Sequence, residues 1–270
     1  MLPDVEIVEG REGRFLCFRT HDFISDHIRS HGVWGEIESG LATLMCEGAT
    51  APLILDVGAN LGAFSIPVAK KLAPAGAVIH AFEPQRIVFQ QLCGNIFLNR
   101  LDNVFTHHLA LGSETKTIRL PKVDYHNTLN IGSVSLIPGI QKVTRVAYSE
   151  TETEDVQMTT IDALALPGRC AFIKLDVEGF ESEVIAGARA FLEANGFPPI
   201  LFEEWRKGKF TGAVGEEIEQ RQAQTRGVLG KLGYAFIHIH TDVIAQHPGA
   251  QARVALRKQD NQTFKIVRER

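Results

Sequence analysis

Cysteine is scarce in this chain and shows no pairing pattern. Cys17, Cys46, Cys93 and Cys170 are scattered and form no C-x-x-C, which argues against a disulfide framework and makes reduced thiols in a cytoplasmic setting the expectation. The first residues, Met1-Leu2-Pro3-Asp4-Val5-Glu6, lack the charged-then-apolar pattern of an export signal. No apolar run approaches the roughly twenty residues needed to cross a bilayer, so membrane insertion is not expected. Positive charge is also short, at 28 Lys and Arg against 32 Asp and Glu, for a formal net charge of −4. This leaves no overall electrostatic reason to approach nucleic acid. Lys207 with Lys209, and Arg268 with Arg270, are brief basic pairs set among Glu203, Glu204 and Glu269. Internal repeats and low-complexity tracts are absent, and nothing in the pattern sets an oligomeric state.

What is present is an ordinary globular composition, 44% hydrophobic over 270 residues, enough for one full core with decorations. The most informative stretch is Leu53-Ile54-Leu55-Asp56-Val57-Gly58-Ala59-Asn60-Leu61-Gly62, followed by Val78-Ile79-His80-Ala81-Phe82-Glu83-Pro84. An apolar run ending in an acid and two glycines reads as a buried parallel strand entering a tight turn, and the second run as its neighbour. Gly58 and Gly62 allow close backbone approach to a ligand, and Glu83 offers a bidentate carboxylate to two ribose hydroxyls. A dinucleotide turn expects G-x-G-x-x-G facing a pyrophosphate; here Asp56 puts a negative charge where the phosphate belongs. A cationic nucleoside cofactor without phosphate, S-adenosylmethionine (SAM), fits better than NAD.

Strand and helix patterns then alternate. Val5–Val8 and Phe15–Phe18 read as a hairpin and 24–46 as one helical segment, together a lead over 1–48. From 49 to 270 the expected order is strand 53–57, helix 62–72, strand 77–82, helix 85–99 and strand 104–109. An insert over about 113–159 interrupts the order, with Thr117–Leu120 and Val143–Tyr148, Arg145 among them, as its strands. Strand 171–175, helix 182–195, strand 199–202, helix 216–232 and edge strands 234–239 and 253–258 follow. Such alternation implies right-handed crossovers and a parallel sheet.

Asp56 to Gly62, Phe82-Glu83-Pro84, Asn95 to Asn99, Ala110-Leu111-Gly112, Thr160-Ile161-Asp162 and above all Lys174-Leu175-Asp176-Val177-Glu178-Gly179-Phe180-Glu181 resemble, in order, the FkbM family of SAM-dependent methyltransferases. The resemblance runs from about residue 30 to residue 204. It implies an α/β class I methyltransferase fold, a Rossmann-like, mostly parallel sheet of seven strands with SAM across the carboxyl ends of the first ones. It also implies O-methylation, since characterised members methylate hydroxyls on sugars, polyketides and other natural products. A small-molecule or glycan acceptor is therefore expected. The resemblance assigns Asp56, Gly58, Ala59, Asn60, Gly62, Glu83, Pro84, Ala110, Leu111 and Asp176 to the cofactor. In it Gly32-Val33-Trp34-Gly35-Glu36 looks like an aromatic-then-acid segment whose Glu36 meets the SAM amino group, the alternative being a surface acid, and Asn130-Ile131-Gly132-Ser133 looks like an N-x-G loop whose amides and hydroxyls suit hydrogen bonds to the acceptor, the alternative being a simple turn.

The chemistry can also be argued from the residues. Methyl transfer from a sulfonium needs oxygen, carbon and sulfur aligned and, for an alcohol, a proton removed. Asp176 ends a core strand facing the same crevice as Gly58 and Glu83 and is the best placed acid; Glu178 and His240 are further candidates for the base. The alternative for Asp176 and Glu178 is capping of the helix that begins near Glu181. Lys174 is expected to pair with a neighbouring carboxylate. Glu203 and Glu204 are placed at the acceptor, and with Asp176 they raise the weaker alternative of a divalent ion such as Mg²⁺. No dedicated metal site is expected, because Trp205 and Arg206 stand where a metal cage would have Asp or Asn. N-methylation, a non-catalytic binding module and an NAD-type oxidoreductase remain as further alternatives.

Overall fold

The structure is a computed structural model and describes residues 1–144, 146–259 and 264–269. Strands β1 (Val5–Glu9) and β2 (Arg14–Phe18) form the expected antiparallel hairpin. The single helical segment expected next is two helices, α1 (Phe23–His31) and α2 (Glu36–Met45). Gly32 (φ 77°) and Gly35 (φ 69°) take left-handed conformations between them, which end one helix and start the next.

The core units follow as β3 (Pro52–Val57), α3 (Ser65–Leu72), β4 (Val78–Phe82), α4 (Arg86–Leu98) and β5 (Val104–His107). In the insert, β6 (Ala110–Leu111), β7 (Lys116–Val123), the short α5 (Pro138–Gln141) and β8 (Tyr148–Thr159) make a separate three-stranded sheet in the order β6-β8-β7. The partner of β7 is therefore the stretch from Tyr148 to Thr159 and not Val143–Tyr148, and Arg145 lies outside the described residues. Next come β9 (Arg169–Leu175), α6 (Glu181–Ala186), α7 (Arg189–Ala194), β10 (Ile200–Glu203), α8 (Gly212–Lys231), β11 (Ala235–Ile239) and β12 (Asp242–Gln246). The helix expected over 182–195 breaks into α6 and α7 at Gly187, where a Cβ would come within 2.0 Å of the Gly112 carbonyl oxygen. The expected edge strand 253–258 is β13 (Arg253–Lys258), and it pairs with β14 (Phe264–Glu269) in a sheet of its own.

The main sheet has seven strands in the order β11-β12-β10-β9-β3-β4-β5. β10, β9, β3, β4 and β5 run parallel, and β12 is antiparallel to both its neighbours. All six residues of β3 are buried, as a central strand covered on both faces requires. Alternation then assigns the faces: Ile54 packs with Leu41, Ile66, Leu92 and Phe172, whereas Leu53, Leu55 and Val57 pack with Val184, Ile185, Leu192 and Leu229. The hairpin is tied to this core by Asn95, fully buried on α4. Its Oδ1 accepts from Leu16 N at 2.6 Å and its Nδ2 donates to Leu61 O at 2.8 Å. Asn99 does the same for Arg14 N and Arg14 O. No helix of the described residues is long and apolar enough to cross a membrane.

Candidate functional site

A cavity of about 480 Å³ opens at the carboxyl ends of β3, β4, β9 and β10, between the main sheet, the start of α1, the loop before α2 and the insert. Parallel sheets place crevices there because successive crossovers leave the strand ends on opposite sides.

The turn after β3 forms one wall. The Gly58 and Ala59 amides both donate to Phe82 O, at 3.0 and 2.9 Å. Gly58 has φ 81°, and a Cβ there would lie 1.8 Å from the carbonyl oxygen of Asp176. Its glycine is thus required first by the close approach of two chain segments. Asn60 is left-handed (φ 49°), holds the Leu61 amide on its Oδ1 at 2.7 Å and donates its own amide to Glu83 Oε2 at 2.9 Å. Gln85 N donates to Glu83 Oε1, also at 2.9 Å. Burial pushes the Glu83 carboxyl up to about 7, while the Gln85 and Asn60 amides pull it back. Ala59, Asn60, Glu83, Pro84, Ala110 and Leu111 all line the cavity.

Three residues expected at the cofactor do not. Asp56 is fully buried beneath the turn, where its Oδ1 meets Lys174 Nζ at 3.2 Å and its Oδ2 accepts from Ser65 Oγ at 2.7 Å. Gly62 (φ 93°) faces Leu92 and Ile66, so it serves helix packing. Glu36 points to the surface and pairs with Arg11 at 3.0 Å. Glu38, one helical step on, lines the cavity instead. Nothing in the sequence separated these two acids, because the choice depends on the rotation of α2 after Gly35.

The opposite wall carries the acids. Asp176 N donates to Val57 O at 2.9 Å, and the loop then turns through Glu178 (φ 52°) and Gly179 (φ 93°) into α6. Buried Glu181 faces back into this loop, with Oε1 at 3.4 Å from Val177 N and 3.3 Å from Gly179 N. Asp176, Glu178 and Glu203 each bring one carboxylate oxygen within 4.8 Å of the others. Burial, then Glu203 and Asp176, drive the Glu178 carboxyl well above its usual range; burial and Asp176 push Glu203 up to about 8. Asp242, at the start of β12, is pushed up to about 7 by burial and then by Glu38. Burial alone would lower the Lys174 ammonium, but Asp56 and Asp176 carry it above its usual value.

Asn130, Ser133, Glu203 and His240 line the same cavity, with His240 (φ 60°) in the turn between β11 and β12. Asn130 Nδ2 donates to Ser133 Oγ at 2.5 Å. Glu204 lies outside the cavity, held by two hydrogen bonds from Arg226 at 2.6 and 2.8 Å. The divalent-ion alternative built on Glu204 therefore loses that donor, and the three oxygens that do converge belong to Asp176, Glu178 and Glu203. Lining residues that the sequence reading missed are Phe23, Glu38, Trp205, Lys209 and Asp242. They come from α1, α2, the loop between β10 and α8, and β12, and share no spacing that could have announced them.

The family model of the methyltransferase FkbM domain matches residues 56–234 of this chain. Among solved structures, a methyltransferase FkbM from Methylobacillus flagellatus KT has 17% identity and a TM-score of 0.46, covering 73% of this chain. This chain spans only 44% of that protein. A putative O-methyltransferase from Klebsiella pneumoniae has 13% identity and a TM-score of 0.46, covering 79% of this chain and 81% of its own. The S-adenosylhomocysteine (SAH)-bound Podospora anserina methyltransferase PaMTH1 has 7% identity and a TM-score of 0.47, covering 80% of each. No curated protein matches the sequence.

Proposed function

We propose, from the premise that this chain belongs to the FkbM family of SAM-dependent methyltransferases, that it methylates a hydroxyl of a small molecule or glycan. The observation that carries the reading is one cavity lined by the Gly58–Asn60 turn, Glu83 and Asp176.

The residues present fit the cofactor. Each Glu83 oxygen accepts one backbone amide and keeps a second acceptor site, so the pair of ribose hydroxyls can still be bound. Phe82, Pro84, Ala110 and Leu111 offer apolar surface for a base. With Glu178 and Glu203 driven toward the neutral form, the other lining acids Glu38, Glu83, Asp176 and Asp242 still outnumber the lining cations Lys174 and Lys209, which suits a sulfonium and opposes a pyrophosphate. Bound there, SAM supplies an electrophilic methyl group whose departure needs no acid catalyst.

The chain's own contribution is alignment and proton removal. Asp176 accepts the proton of the acceptor hydroxyl, a step typically contributing about 10²- to 10⁴-fold. Glu178 and Glu203, driven toward the neutral form, donate hydrogen bonds to acceptor oxygens rather than competing for that proton. Phe180 and Trp205 narrow the cavity and limit water. His240 is the next base to test.

The test is transfer from methyl-tritiated SAM to a panel of hydroxylated metabolites and oligosaccharides, with the methylated atom identified by mass spectrometry and NMR. Asp176→Asn is expected to lower turnover at least about 10²-fold while SAM affinity changes little. A methyl group found on nitrogen, or full turnover by Asp176→Asn, refutes the reading. The convergence of Asp176, Glu178 and Glu203 supports a second, Mg²⁺-dependent reading; loss of activity in EDTA and its return with Mg²⁺ would select it.

A further inference from the structure

Lys174 opens the Lys174-to-Glu181 motif, and proton removal by Asp176 leaves it without a task. Its ammonium, on a side chain only 13% exposed, sits where three segments meet. Asp56 Oδ1 on β3 is 3.2 Å away, Gly58 O in the cofactor turn 3.1 Å, and Asp176 Oδ2 on the acid loop 3.4 Å. An ammonium has three N–H donors and no acceptor; here it donates to Asp56 Oδ1 and Gly58 O and meets the Asp176 carboxylate as an ion pair. If neutralising buried Asp56 were its whole task, one contact would suffice, since Ser65 already serves the other Asp56 oxygen. The other two contacts reach across the cavity floor. One fixes the carbonyl of Gly58, whose amide is already tied to Phe82 O, so the Gly58 peptide groups are held at both ends. The other fixes the Asp176 carboxylate, which is 44% exposed and has this single ion pair among the described residues.

We infer that Lys174 is a positioning residue that links the cofactor turn to the Asp176 carboxylate, so that the cofactor and the base are set by one buried cation. The inference rests on the methyl-transfer reading. It adds a division of labour: Asp56, buried beneath the cavity lining, anchors Lys174, and Lys174 aims the two groups that face the cavity. A displacement of about 1 Å in such a group can cost about 10²-fold in rate, which is why a rigid floor matters.

The experiment separates this role from plain charge neutralisation. Lys174→Met leaves Asp56 buried and unpaired, so thermal stability should fall. Asp56→Asn/Lys174→Met removes both charges and should recover most of the lost Tm. SAH binding, measured by calorimetry, should stay at least about tenfold weaker than wild type in both variants, because neither holds the Gly58 carbonyl and with it the cofactor turn. Recovery of SAH affinity together with Tm, or wild-type affinity in Lys174→Met, overturns the inference. The crystal structure of the double variant provides a readout that needs no ligand. There the Gly58 carbonyl or the Asp176 carboxylate should move by more than about 0.5 Å, and unmoved groups overturn the inference as well. Wild-type protein that binds no SAH would refute the cofactor reading instead, and the variant's structure would still decide the role of Lys174.

Discussion

Glu83 offers a quantitative test because its carboxyl combines full burial with two amide donors. Its value rises from 4.5 to about 7 on folding, and one pH unit corresponds to about 1.4 kcal/mol, so the group can cost the folded state up to about 3 kcal/mol. Between those two values the folded chain holds a proton that the unfolded chain has released. Stability from this group is therefore full below about pH 4.5 and declines until pH passes about 7; about 2 to 3 kcal/mol of the change falls between pH 5 and pH 8. Glu83→Gln abolishes the titration but leaves one carbonyl oxygen for two amides, Asn60 N and Gln85 N. An unsatisfied buried amide costs about 1 to 3 kcal/mol at any pH. The variant should thus be less stable than wild type at pH 5 and should regain about 2 to 3 kcal/mol relative to it by pH 8. Glu181, Glu203 and Asp242 also titrate upward but are common to both proteins, so they cancel to the extent that the sites are independent. Guanidinium unfolding followed by the fluorescence of Trp34 and Trp205 supplies the free energies. A wild-type-to-variant difference constant to within about 0.5 kcal/mol from pH 5 to pH 8 would refute the burial argument. Ribose hydroxyls that donate to Glu83 favour its charged form, so SAM binding near pH 6.5 should release protons, detectable by calorimetry in buffers of different ionisation enthalpy.

Gly58→Ala should destabilise the fold by at least about 2 kcal/mol and abolish SAH binding, since the new Cβ meets the Asp176 carbonyl oxygen in a left-handed backbone; chemical denaturation and calorimetry check both effects. Asn95→Leu leaves Leu16 N and Leu61 O without partners and should cost about 2 to 4 kcal/mol, read as a lower denaturation midpoint with unchanged slope. Glu36→Ala breaks only an exposed pair with Arg11, so SAH affinity should stay within about twofold of wild type by calorimetry.

The sequence by itself determined the alternating architecture and the two strand ends that face the cavity. Both are local signals: an unbroken apolar run marks a strand buried on both faces, and Asp56-Val57-Gly58 and Phe82-Glu83-Pro84 are punctuated where such strands must stop. It also placed Asp176, Glu178 and Glu203 near one another, because parallel strands end on one side of a sheet. Tertiary structure decided which polar groups are free to act. Asp56 and Glu83 look alike as strand-end acids, yet Lys174 and Ser65 enclose one beneath the turn while the other keeps acceptor sites toward the cavity. Glu36 and Glu38 share a helix, and only its rotation after Gly35 sends one to Arg11 and the other inward. Glu203 and Glu204 are adjacent, and the second is turned away to Arg226. Strand 253–258 had a plausible edge pattern, but β12 and β11 close that side of the sheet first. In each case the deciding contact joins residues far apart in the chain, and a pattern read along one strand or helix carries no information about the partner that will meet it.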